Sequence, residues 1–112
     1  MLKFISLMII LFAFNSVAYC QTDSLSVYRK QIDSLDSQLI QLLGKRMEVV
    51  TAIGSFKFVH HIPPLQSKRF EEILQKNIVN GRGVQLSESF IRELMEAIHK
   101  ESLAKENALL KK

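Results

Sequence analysis

The sequence predicts an all-α fold of three helices, the first far longer than the other two. Three observations predict it. Apolar residues recur in steps of three and four over long stretches, the spacing of one helix face. Two clusters break that pattern, Pro63-Pro64 and Asn80-Gly81-Arg82-Gly83. No segment alternates apolar and polar residues with the period of two that a half-buried strand requires.

The first helix is expected from about Ser24 to Val59. Leu25, Tyr28, Ile32, Leu35, Leu39, Leu42, Leu43, Met47, Val50, Ile53 and Phe56 form its apolar stripe. Asp23 or Ser24 supplies an N-cap oxygen, and Pro63-Pro64 stops anything helical before it. The second helix is expected over residues 66–80, with Phe70, Ile73, Leu74 and Ile78 on one face. It closes at Asn80-Gly81-Arg82-Gly83, whose residues tolerate positive φ. Ser87 caps the third, which carries Phe90, Ile91, Leu94, Met95 and Ile98, then Leu109 and Leu110. A 36-residue helix is ~54 Å long, too long for a compact monomer of this size with a radius of gyration of ~12 Å. The two shorter helices cannot cover its stripe. A coiled-coil dimer and an intertwined homodimer with sites between subunits both satisfy that constraint.

The opening residues differ from the rest. Residues 1–20 hold 16 hydrophobic residues and one charge, Lys3, and the other 92 hold 37. A basic start, an apolar run from Phe4 to Phe14 and small residues at Ala18 and Cys20 make a secretory signal peptide over residues 1–20. The expected cut lies between Cys20 and Gln21, leaving an exported, periplasmic chain with no membrane attachment. The weaker alternatives are a retained anchor, which needs ~20 apolar residues, and lipidation of Cys20, against which the bulky Tyr19 before it speaks. The remaining chain, residues 21–112, is one domain. It has no cysteine, so neither disulfides nor thiol catalysis are open to it. Loss of Lys3 takes the formal charge from +4 to +3, too mild a bias to imply nucleic-acid binding.

Several cations lie on the long helix. Arg46 and Lys57 are eleven residues apart, ~20° apart in direction and ~16 Å along the axis, so their side chains can converge on a small anion. Arg29 lies ~25 Å before Arg46 and rotated by ~100°, where an antiparallel partner helix could deliver it to the same site. From spacing alone, solvated surface charges are the favoured reading of all three. On the third helix the apolar stripe continues through Ser102 and Glu106, as a frayed end or as the floor of a polar pocket. His60-His61 and His99 are read as solvated or capping side chains, without the further ligands of a metal site. No phosphate loop, serine-hydrolase motif or paired-carboxylate signature is present.

In order along the chain stand Arg29-x-x-Ile32-Asp33-x-Leu35-Asp36, then Leu42-Leu43-Gly44-Lys45-Arg46-Met47. Ile53-Gly54-x-x-Lys57, Ile62-Pro63, Arg69 and Ile98-His99-Lys100-Glu101-Ser102 follow. In combination these resemble the all-α class of chorismate mutases over residues 25–110, in the exported, stand-alone form. The resemblance implies an intertwined homodimer without cofactor or metal. The implied reaction is the Claisen rearrangement of chorismate to prephenate in aromatic amino acid biosynthesis. It implies Arg46 from one chain and Arg29 from the other on the two substrate carboxylates, and Lys57 donating to the ether oxygen. Arg69, Gln66 and Ser102 join them as substrate-binding residues. Glu106 stands where many members carry glutamine, and a carboxylate repels the developing oxyanion. It must carry its proton to donate, so activity should fall as pH rises, and Glu106→Gln should flatten the profile. Phe70 occupies the place of a glutamate that in relatives contacts the substrate hydroxyl, with Gln66 or Glu71 as stand-ins. An isochorismate-pyruvate lyase, or an inactive helical dimer acting as a binding module, are the alternative readings.

Overall fold

The structure, a computed structural model, describes residues 2–111, with side chains from Asp23 to Lys111. It contains three helices, α1 (Leu2–Val59), α2 (Ser67–Gly83) and α3 (Glu88–Leu109), and no strand among the described residues. The signal-peptide segment and the expected cut at Cys20 lie outside the residues whose side chains are described. Among the described residues no helix is long and apolar enough to cross a membrane.

The expected start of α1 needs correction. Asp23 and Ser24 do not cap it, because the helix runs unbroken from Leu2 through both. No glycine or proline precedes Gly44, so nothing in that stretch forces a break. The expected end at Val59 agrees with the structure.

Helices α1 and α2 end in the same device, one that the sequence does not advertise. The Ile62 amide donates to Lys57 O (2.8 Å) and the His61 amide to Phe58 O (3.4 Å), with His61 at φ 56°. After α2 the Leu86 amide donates to Gly81 O (2.9 Å) and the Gln85 amide to Arg82 O (3.2 Å), with Gln85 at φ 63°. Each is a six-to-one plus five-to-two pair around a left-handed residue, which satisfies the last helical carbonyls. The glycines expected to end α2 at positive φ therefore do not. The helix continues through Gly83, and no glycine has positive φ.

Gly81 serves packing instead. It is buried, and a Cβ there would meet Ile91 Cγ1 at 2.7 Å, so its lack of a side chain lets α3 lie close on α2. At the other end of that contact, Ser87 Oγ accepts from the Phe90 amide as the N-cap of α3. Leu74, Ile78, Ile91 and Met95 form the buried core, with Phe70, Ile73 and Ile98 packed against it. These are the faces the periodicity predicts for α2 and α3, except that Phe90 and Leu110 of the expected α3 stripe stay exposed.

The chain divides into two compact units, Met1–Leu42 and Leu43–Lys112. In the first, Leu25, Tyr28, Ile32, Leu35 and Leu39 are all exposed, Leu35 at 62 %. In the second, Val50 of α1 is buried, while Ile53 and Phe56 stay exposed.

Candidate active site

The second unit encloses a cavity of about 430 Å³. Helix α1 contributes Arg46, Val50, Ile53 and Lys57, one stripe at steps of four, three and four. Helix α2 contributes Gln66, Arg69, Phe70 and Ile73 at its first turns, and α3 contributes His99, Ser102, Leu103 and Glu106. The α1–α2 connection adds Pro64.

Ser102 and Glu106 are buried. Of the two readings of that polar stripe, the pocket floor is the one observed. Ser102 Oγ accepts from Arg46 Nη1 at 3.0 Å and lies 2.8 Å from Ile98 O, to which its hydroxyl donates. This fixes one nitrogen of the guanidinium and leaves its other N–H groups for an anion, since arginine carries five donors.

Lys57 Nζ donates to Glu106 Oε2 at 3.1 Å and Oε1 at 3.3 Å, and to Pro64 O at 2.9 Å. The Lys57 and Glu106 side chains retain only 14 % and 8 % exposure. Two opposite charges taken out of water together are tolerable where one alone is not. The pairing depends on Gly54, one turn before Lys57 on α1. A Cβ at Gly54 would stand 3.0 Å from Glu106 Cγ and 3.3 Å from Glu106 Cα, so glycine is what lets α3 approach this closely.

Arg69 lines the cavity but is largely exposed and pairs with Glu72 at 3.5 Å. Gln66 also lines it, exposed and making no side-chain cap bond to α2. Glu71, the other stand-in for hydroxyl recognition, is exposed outside the cavity lining and accepts from Gln75 at 2.8 Å. Arg29 belongs to the first unit, exposed on α1. Of the seven residues the sequence nominates, six line one cavity: Arg46, Lys57, Gln66, Arg69, Ser102 and Glu106.

His99 is the residue that sequence reasoning missed. It is half-buried in the cavity wall rather than solvated, and its ring stacks on Phe70 with centroids 4.1 Å apart and planes inclined by 22°. Its position three residues before Ser102 and seven before Glu106, on their helix face, was the available signal. Among the described residues no cluster of three or more His, Cys, Asp or Glu is placed to hold a metal ion.

The arrangement can grip a compact anion with Arg46 and Arg69 and present a cation, Lys57, to a polar atom near the middle. Comparison with known proteins agrees with that chemistry. The chain is 34% identical over 85 residues to the T-protein of Haemophilus influenzae, covering 76% of this chain and 22% of that protein. It is 30% identical over 82 residues to the bifunctional chorismate mutase/prephenate dehydratase of Escherichia coli K12, covering 73% and 21%. It is 25% identical over 77 residues to the 4-amino-4-deoxychorismate mutase of Streptomyces pristinaespiralis, covering 69% and 60%. The chain thus spans about a fifth of the length of the first two. The family profile for chorismate mutase type II matches residues 28–107, which include Arg29 and every polar residue that lines the cavity. The chain belongs to the type II chorismate mutase family.

Proposed function

We propose that the protein is a chorismate mutase that converts chorismate to prephenate. The observation that carries this reading is the cavity in which Arg46, Lys57, Ser102 and Glu106 converge, in a chain of this family. The rearrangement is unimolecular. One ether C–O bond breaks as one C–C bond forms within the same molecule, so no covalent intermediate or external electron carrier is needed. What catalysis requires is a compact substrate conformer and stabilisation of negative charge at the departing oxygen.

The residues present meet both requirements. Arg46, held by Ser102, binds one carboxylate, and Arg69 lies at the α2 side of the same cavity. Lys57 donates to the ether oxygen once that oxygen displaces Pro64 O or a Glu106 oxygen from its ammonium. Glu106 then helps only in its protonated form, because an ionised carboxylate at this point opposes the charge that develops. The Lys57–Glu106 pair seen without substrate has to open for that to happen.

The homodimer and Arg29 belong to the same proposal. The exposed apolar row Leu25, Ile32, Leu35 and Leu39 supports a second copy covering α1, since contiguous exposed apolar surface marks an interaction site. That copy would bring its own Arg29 to the second carboxylate. Export by the leader over residues 1–20 is likewise proposed, and N-terminal sequencing of the secreted protein would test the cut after Cys20.

The decisive measurement is loss of chorismate ultraviolet absorbance with the purified protein, with chromatography of the product. Prephenate is the expected product. Salicylate from isochorismate would instead establish the lyase. Turnover of neither substrate at pH 5 and at pH 7.5 would leave a binding module.

A further inference from the structure

The cavity presents a half-buried polar side chain that the proposed reaction does not use. His99 is half-buried in its wall, and its ring is held flat against Phe70 at 4.1 Å. Phe70 is anchored in turn by the α2–α3 core. Neither ring nitrogen of His99 makes a hydrogen bond to the protein among the described residues. A fixed imidazole with uncommitted nitrogens at a ligand cavity is a preorganised hydrogen-bonding group, because its orientation has already been set by packing.

Chorismate carries two carboxylates, an ether oxygen and one ring hydroxyl. Arginines answer the carboxylates and Lys57 answers the ether oxygen, which leaves the hydroxyl. Phe70 has no polar atom to offer it. Gln66 could reach in, but it is exposed at the helix start, so ordering it costs rotamer freedom that the stacked imidazole has already lost. We propose that His99, oriented by Phe70, is the hydrogen-bond partner of the substrate's ring hydroxyl, and that this pair sets the preference for a hydroxyl-bearing over an amino-bearing ring. A neutral imidazole accepts from or donates to a hydroxyl equally well. A ring ammonium has only donors and calls for a carboxylate. The carboxylate in this cavity, Glu106, is committed to Lys57.

This inference rests on the mutase reading, and steady-state kinetics on the full chain separates the two. Wild type, His99→Ala, His99→Asn, Phe70→Leu and Gln66→Ala are compared on chorismate and on its analogue lacking the ring hydroxyl. His99→Ala should lower kcat/KM on chorismate about tenfold, the worth of one neutral hydrogen bond with some added desolvation. It should leave the analogue within about twofold, because no partner is lost there. His99→Asn, which keeps a donor and an acceptor, should recover part of the loss. Phe70→Leu should show a smaller loss, again confined to chorismate. Wild type should prefer chorismate to 4-amino-4-deoxychorismate about tenfold or more. Equal losses on both substrates would reduce His99 to a packing role and overturn the inference. So would a hydroxyl-dependent loss in Gln66→Ala but not in His99→Ala, or a preference for the amino substrate. If wild type turns over no chorismate, the mutase reading itself fails and takes this inference with it.

Discussion

Lys57 and Glu106 show how one pair of residues couples stability to chemistry. Each neutralises the other where both are largely buried, and either alone is a buried charge. Lys57→Met should therefore abolish measurable turnover and also destabilise the fold by about 3 kcal/mol, seen as a lower denaturation midpoint. Adding Glu106→Gln to it should restore most of that stability without restoring activity, which a double-mutant cycle would read. Glu106→Gln alone should stay active. An amide keeps an N–H donor for the reacting oxygen. Loss of turnover in Glu106→Gln would mean that a donor at this position does not serve the reacting oxygen.

At the scale of elements, two glycines set the distances between helices. Gly54 decides how close α3 comes to the Lys57 stripe of α1, and Gly81 how close it comes to α2. Gly54→Ala must push against Glu106 Cα, which is backbone and cannot rotate away. If this cavity is the site of the proposed reaction, a shift of a few tenths of an ångström there should lower kcat between about tenfold and a hundredfold while helix content is kept. Gly81→Ala would press on Ile91 in the core, and should cost stability of about 1–3 kcal/mol with little change in KM. The α2–α3 corner has an electrostatic brace as well. Glu88 accepts from Arg92 and from Arg82, each at 2.9 Å. The Arg92 bond, ahead of the Arg82 bond, holds its carboxyl below the usual range. A carboxyl depressed in the folded state contributes stability above its unfolded value and loses it as pH falls through the folded one. Glu88→Gln should thus lower Tm by roughly 2 °C at pH 7, a difference that should vanish in acid.

The whole molecule poses the question of the partner. A row of exposed leucines and isoleucines on α1 is surface that a lone chain leaves uncovered, and Arg29 shares that segment. Mixing the inactive Arg29→Ala and Lys57→Ala proteins and allowing subunits to exchange tests the arrangement directly. Each heterodimer then holds one site with Lys57 from one chain and Arg29 from the other, both intact. Activity should return to about a quarter of wild type at equal mixing, by random pairing of one rebuilt site per heterodimer. No recovery after proven exchange would place Arg29 and Lys57 of one site on the same chain.

The helices, their apolar faces, the Ser87 cap and six cavity residues were legible in the sequence. The helices, faces and cap follow from local periodicity and cap chemistry, and the cavity residues from a family resemblance that spans residues 25–110. What was not legible depends on neighbours distant in the chain. The capping turns at His61 and Gln85 are a local exception, hidden because non-glycine residues take the left-handed conformation there, held by hydrogen bonds back to the helix. The glycines of α2 drew attention as turn formers, whereas Gly81 is small because Ile91 comes close. His99 looked like a surface histidine until α2 brought Phe70 beneath it. By itself the sequence determined an all-α chain of this family and the cations of its site. Only the tertiary structure decided that Glu106 pairs with Lys57 and that an aromatic stack lines the cavity, because burial and close approach belong to the packed helices and not to any one segment.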